Sequence, residues 1–201
     1  FSPQTEWLPP ESFPDLSKYD EISIDLETKD PQLKTMGSGS VTGRGKIVGI
    51  ALAVKDWSGY FPIAHEGGGN MDEKIVMDYF RTILNYPSTK IFHNAMYDVC
   101  FIRAAGLKIN GTIVDTMIAG SLVDENRFRY DLGSMGRDYL GRGKNEAVLN
   151  ETAALWGVDP KSEMYKLPAM YVGEYAERDA EMTLELWQNM KQEIQHQDIQ
   201  S

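Results

Sequence analysis

Residues 21–27 read EISIDLE. Apolar and polar side chains alternate strictly. Ile22, Ile24 and Leu26 face one way, while Ser23, Asp25 and Glu27 face the other. A period of two is the signature of a β-strand. Asp25 and Glu27 then lie on one face, about 7 Å apart along the strand. On an edge strand with a wet face the two acids need no explanation. On a central strand, covered on both sides, they are costly unless something compensates them.

The following segments fix the surroundings of this strand. IVGIALAV (47–54) and GYFPIA (59–64) read as two more strands, and their short connection predicts antiparallel pairing. MGSGSVTGRGK (36–46) reads as a mobile loop by its glycines. Asn70 and Glu73 have the spacing of a capping pair, which predicts a helix running to about Leu84. TKIFHN (89–94) is a short strand, and AMYDVCFIRAA (95–105) a helix stopped by Gly106. A strand and a helix share 112–123, further helices are predicted over Asp131–Leu140 and around 150–157, and the last helix runs from Glu174 into the tail. Three strands followed by alternating helices and strands give an α/β domain with a mixed sheet. Residues 1–20 read as an irregular lead-in, 21–195 as the domain, and 196–201 as a polar tail.

The chain has 201 residues, 42% hydrophobic and 25% charged, enough for one globular domain with a full core. No run of about 18 apolar residues exists to span a membrane, and the first residues do not have the pattern of a signal peptide. The single cysteine, Cys100, lies in an apolar stretch, reads as a buried thiol and fits a reducing, cytoplasmic setting. The net charge of −10 argues against a protein that wraps nucleic acid electrostatically. It does not argue against one that binds cations.

Two more acids stand where core residues are expected. Asp98, in MYDVCFI, shares a helical face with Ala95, Ile102 and Ala105. Asp179 sits beside the stripe formed by Ala176, Ala180, Thr183, Trp187, Met190 and Ile194, one turn after Tyr175. Three elements far apart in sequence thus carry Asp25, Glu27, Asp98 and Asp179 toward a buried region. Hard divalent cations such as Mg²⁺ and Mn²⁺ prefer carboxylate oxygen. Four carboxylates can hold two such ions, the arrangement used in phosphoryl chemistry.

SIDLET (23–28), HNAMYD (93–98) and YAERD (175–179) together resemble the three exonuclease motifs of the DEDD superfamily, in order, with the Y-x-x-x-D of its tyrosine branch (DEDDy). The histidine branch would place a histidine at position 174, which is Glu174. The resemblance covers residues 20–190 and is nearest to the 3′→5′ proofreading domains of phage-like family A DNA polymerases. It implies an RNase H-like fold and two Mg²⁺ or Mn²⁺ ions. Asp25, Glu27 and Asp179 would hold one ion; Asp25 directly and Asp98 through water would hold the other. Tyr175 would orient the attacking water. Thr28, His93, Asn94 and Tyr97 would touch the 3′ end of single-stranded DNA. A polymerase domain would follow the polar tail, and a phage protein would work in the cytoplasm of a bacterial host.

Other signals carry less. Gly45-Lys46 fails the P-loop pattern, since Ser40 and Ile47 stand where Gly and Ser/Thr are needed. Asp115 could be a fifth ligand, but the resemblance implies a structural or supporting role for it; Arg137, Arg142 and Lys144 read as a solvated basic group. The rival readings are an RNase D-like exoribonuclease, a non-catalytic nucleic-acid clamp with the same fold, and a phosphatase. The clamp has no need of the carboxylates, and a phosphatase has no need of a single-strand cleft.

Overall fold

The computed structural model describes residues 3–127, 129–141, 143–144 and 146–200, with side chains as far as position 196. Five strands form one mixed sheet: β1 (Glu21–Lys29), β2 (Lys46–Val54), β3 (Trp57–Pro62), β4 (Thr89–Phe92) and β5 (Ile113–Asp115), in the order β3-β2-β1-β4-β5. β1 pairs antiparallel with β2 and parallel with β4, so it is the central strand. The wet-edge explanation of its two acids therefore fails.

The helices described are α1 (Leu33–Met36), α2 (Gly39–Thr42), α3 (Glu73–Asn85), α4 (Ala95–Ala104), α5 (Thr116–Val123), α6 (Leu132–Met135), α7 (Ala147–Trp156) and α8 (Gly173–Gln200). A wider turn of π-helix, Gly136–Leu140, continues α6. Ile22, Ile24 and Leu26 pack with Phe61 and Phe92 against Phe80 and Ile83 of α3 and Val99 and Ile102 of α4. Fully burying each such side chain contributes roughly 1.5–3 kcal/mol.

On the opposite face of the sheet, small residues stand where α8 crosses β2. Asp25 pairs with Ala51 and Glu27 with Gly49, and Ala51 and Ala53 meet Ala176 and Ala180 of α8 in a second buried cluster. Without long side chains between them, helix and sheet approach closely. Gly49 has a further reason to be glycine: a Cβ there would lie 2.0 Å from the hydroxyl of Tyr60.

Several local expectations need correction. The lead-in makes no strand or helix among its described residues, but it is docked on the domain. Trp7 is buried, and its Nε1 donates to Glu177 of α8 at 2.8 Å. The cap of α3 is Asp72, which accepts from Ile75 N, while the Asn70 side chain bonds the backbone of His65. The glycine loop contains one helical turn, α2, and is tied down by Gly39 N donating to both Asp30 carboxylate oxygens. Gly39 and Gly45 touch, and a Cβ on Gly39 would lie 2.5 Å from Gly45 Cα. Cys100 is half-buried, and Ala105, just beyond α4, is exposed.

A Cβ at Gly173 would lie 2.0 Å from the Trp7 ring. Gly173→Ala must therefore expel the indole, and overpacking of this kind costs about 1–3 kcal/mol. Trp7→Ala should cost about 3–5 kcal/mol. Because both act through one contact, urea unfolding of the double variant should give less than the sum of the two losses. Additive losses would show that Trp7 is not docked on α8.

Candidate active site

The C-terminal half of β1 forms the floor of the site. β1 and β4 pair only over Glu21–Ser23 with Thr89–Ile91, then separate. The freed backbone N–H of Leu26 donates to Asp98 Oδ2 at 3.3 Å. Asp98 is thus buried at the point where the two strands part, and α4 brings it there. Asp115 holds α4 in place. Its carboxylate accepts from Asn94 N at 3.0 Å, Ala95 N at 2.9 Å and Met117 N at 2.9 Å. It caps α4 and α5 together, whereas Asn94, left-handed at φ 66°, makes no side-chain cap.

On the other side of β1, α8 delivers Asp179. Carboxylate oxygens of Asp25, Glu27 and Asp179 lie within 4.8 Å of one another. Asp25 Oδ2 and Asp179 Oδ1 are buried and accept no hydrogen bond from the protein. Such oxygens are costly alone and suit a hard cation. Asp98 stands outside this triad but within electrostatic reach of Asp25.

Burial raises all four acids, and repulsion within the cluster adds to it for Asp25, Glu27 and Asp98. Desolvation and the charge of Asp179 push Asp25 up to about 7. Desolvation and the charges of Asp25 and Asp179 hold Glu27 well above the usual carboxylate range. Burial and Asp25 do the same to Asp98, against the opposing Leu26 hydrogen bond. Burial raises Asp179 to about 6, although the charge of Lys144 and its hydrogen bond pull the other way. Burial raises the Tyr175 phenol, so it stays protonated at neutral pH.

Lys144, expected in solvent, lies in the site. Its Nζ donates to Tyr175 Oη at 3.1 Å and Asp179 Oδ2 at 3.3 Å. Arg137, of the same expected group, is exposed at the cleft, and Arg142 lies outside the described residues. Arg129, Arg137, Lys144 and Lys161 all line a cleft of about 810 Å³ whose floor carries Asp25, Glu27 and Asp179.

The other expected contacts are distributed as follows. Thr28 follows a break in the β1–β2 register after Glu27, which re-aims it. Thr28 Oγ1 lies 3.0 Å from Tyr97 Oη, and the tyrosine hydroxyl donates to Asp30 at 2.7 Å. Both residues line a smaller hollow that shares Lys161 with the main cleft. His93 is largely spoken for: Nε2 donates to Tyr130 O at 2.7 Å, and Nδ1 lies 2.7 Å from Thr116 Oγ1. Its ring therefore anchors the segment that brings Arg129 to the cleft. Asn94 is exposed.

Residues 3–195 match the family described as 3′–5′ exonuclease. The chain belongs to the 3′–5′ exonuclease family. Among relatives of this exonuclease, a DNA-directed DNA polymerase of Pseudomonas phage M6 is 33% identical over 204 residues, covering 97% of this chain and 30% of that protein. DNA polymerase I of Pseudomonas aeruginosa is 27% identical over 161 residues, covering 76% and 17%. The exonuclease thus spans less than a third of these relatives' length. Solved structures share its RNase H-like fold. Brucella melitensis NrnC superposes with a TM-score of 0.64 at 17% identity, over 92% of this chain and 78% of that one. Escherichia coli RNase D gives 0.59 at 17%, over 90% and 41%.

The shifted acids set a pH dependence. Raised carboxylate pKa values mean that the native exonuclease binds protons the unfolded chain has already lost, so stability falls as pH rises toward the folded values. His65, which burial lowers to about 4, and His93, also lowered by burial, act oppositely, but only up to the ordinary histidine range near 6.5. Lys90, lowered by burial to about 8, adds its own stabilising slope only above that pH. In chelator, the melting temperature should therefore fall between about pH 6.5 and 8. Saturating Mn²⁺ should raise it more at pH 8 than at pH 6.5, because ionised carboxylates bind the cation without first losing protons. A melting temperature in chelator that climbs across this window would contradict the buried-acid cluster.

Proposed function

We propose that this domain removes nucleotides from the 3′ end of single-stranded DNA by two-metal-ion hydrolysis, as the proofreading part of a DNA polymerase. The observation that carries the reading is the convergence of Asp25, Glu27 and Asp179, with two buried, unpartnered oxygens among them. Asp98 next to Leu26 supplies the fourth acid. Tyr175, one turn before Asp179, supports assignment to the tyrosine branch.

Asp25, Glu27 and Asp179 would hold one Mg²⁺ or Mn²⁺; Asp25 and Asp98 would hold the second. Such ions supply a hydroxide at neutral pH and stabilise the leaving oxygen. The protein's own groups do the positioning. Tyr175, kept protonated, offers a hydrogen bond to the attacking water rather than acting as a base. Arg129, Arg137 and Lys161 face the phosphates of the strand, which lets an acidic protein accept a polyanion at one place. Thr28, Asn94 and Tyr97 receive the terminal nucleotide, and Tyr97 offers an aromatic face for stacking. His93 contributes through the Tyr130 segment that it anchors.

Digestion of 5′-labelled oligonucleotides, with Mg²⁺ or with chelator, tests this reading. DNA should shorten from its 3′ end only when the metal is present. Preference for RNA would move the assignment to the RNase D-like reading, and no product even with Mg²⁺ would leave a nucleic-acid clamp. Blunt duplex should be cut more slowly than single strand, since its end must first melt; equal rates would exclude a single-strand cleft. Asp25→Ala should abolish cleavage while leaving the fold as stable or more so, because it relieves like-charge repulsion. Asp179→Ala should nearly eliminate activity and weaken Mn²⁺ binding. Tyr175→Phe should retain Mn²⁺ and DNA and lose roughly tenfold to a thousandfold in rate, about 1.4–4 kcal/mol. Wild-type activity in Tyr175→Phe would remove Tyr175 from the machinery.

A further inference from the structure

Lys144 stands closer to the reacting centre than any other basic residue described above, and nothing in the hydrolysis outlined so far uses it. Its side chain is 20% exposed, set into the wall of the cleft. Its ammonium bonds Tyr175 Oη at 3.1 Å and Asp179 Oδ2 at 3.3 Å, and it lies 5.2 Å from the centre of the Tyr175 ring. It thus bridges two residues of α8 whose roles depend on orientation. We propose that Lys144 is a positioning residue for hydrolysis: its ammonium fixes the rotation of the Asp179 carboxylate and the direction of the Tyr175 hydroxyl proton. The inference rests on the two-metal reading above.

The chemistry of the donor set supports this role. An ammonium has three protons and no lone pair, so it only donates. Tyr175 Oη must be the acceptor in this contact, and its own proton is directed away from Lys144. Asp179 is constrained in the same way. With Oδ2 engaged by Lys144, the carboxylate is left with Oδ1, the buried oxygen without a protein partner, as its open ligand position. One cation outside the cluster therefore selects which oxygen faces a metal and where a phenolic proton points. Without Lys144 the phenol can rotate, and the carboxylate can turn either oxygen inward.

A positioning residue that acts through Tyr175 has a distinctive signature. Lys144→Met keeps the length of the side chain and removes its charge. In the full chain, single-turnover digestion of single-stranded DNA should slow by about tenfold to a hundredfold, the scale of a lost orienting hydrogen bond. Half-saturating DNA concentration should change by less than about threefold, and Lys144→Arg should recover part of the rate. In a Tyr175→Phe background, Lys144→Met should cost much less than it does alone, because the hydroxyl it directs is already gone. Calorimetric Mn²⁺ titration supplies a readout independent of cleavage. Lys144→Met should bind Mn²⁺ at least as tightly as wild type, since a repelling cation has been removed.

Additive losses in the double variant would overturn the proposal, and so would a fall in Mn²⁺ affinity parallel to the fall in rate. A large rise in half-saturating DNA with an unchanged rate would instead make Lys144 a phosphate contact and also overturn it. If Lys144→Met does not fold, Lys144→Gln and Lys144→Arg carry the same comparisons. A wild-type chain that neither binds Mn²⁺ nor cleaves DNA would remove the two-metal reading, and this proposal with it. A wild-type chain that does both, with additive variants, would remove this proposal alone.

Discussion

Repulsion among buried carboxylates is the constraint around which the domain is arranged. Asp25, Glu27 and Asp179 are pressed together because α8 lies close against the sheet, and it does so because the contact is lined by Ala51, Ala53, Ala176 and Ala180. Leucines at those positions would hold the helix several ångströms further off, and the acids would separate. Packing energy from the two apolar clusters therefore sustains an electrostatically unfavourable centre. The centre is relieved by the ammonium of Lys144 against Asp179.

On the proposed function, the same arrangement reconciles an acidic protein with an anionic substrate. A net charge of −10 would repel DNA if it were spread evenly. Here the cleft wall gathers Arg129, Arg137, Lys144 and Lys161 around the acids of the floor. Over distances beyond about 10 Å the remaining surface charge is screened by salt. What a strand meets on entry is the local pattern rather than the sum.

Much of this was legible in the sequence, for identifiable reasons. The alternation of EISIDLE reports a strand directly, and Asp98 and Asp179 stand out because apolar neighbours leave them no solvated face. What was not legible depended on contacts between distant segments. Asn70 and Glu73 have capping spacing, but the chain between them turns so that Asp72 reaches Ile75 instead. The glycines of 37–45 look permissive, yet Gly39 and Gly45 are required by a close backbone approach. Asp115 could not be told from a ligand until its oxygens were seen on three backbone N–H groups. Lys144 lies in a segment without periodicity, and no local pattern distinguishes it from a solvated lysine. The comparisons with relatives support the family; the particular side chains of the cleft wall come from the fold alone.

The indole of Trp7 has a consequence for modularity. It clasps the first turns of α8 through Gly173 and Glu177, and Glu177 also accepts from Tyr60 N at 3.2 Å. The helix that bears Tyr175 and Asp179 is therefore registered from two sides, by the sheet and by a segment ahead of it. A transplantable unit cut at the first strand would keep every motif residue and still lose the strap that seats α8. An aromatic side chain outside the carboxylate cluster thus helps to seat the helix that carries two of its residues.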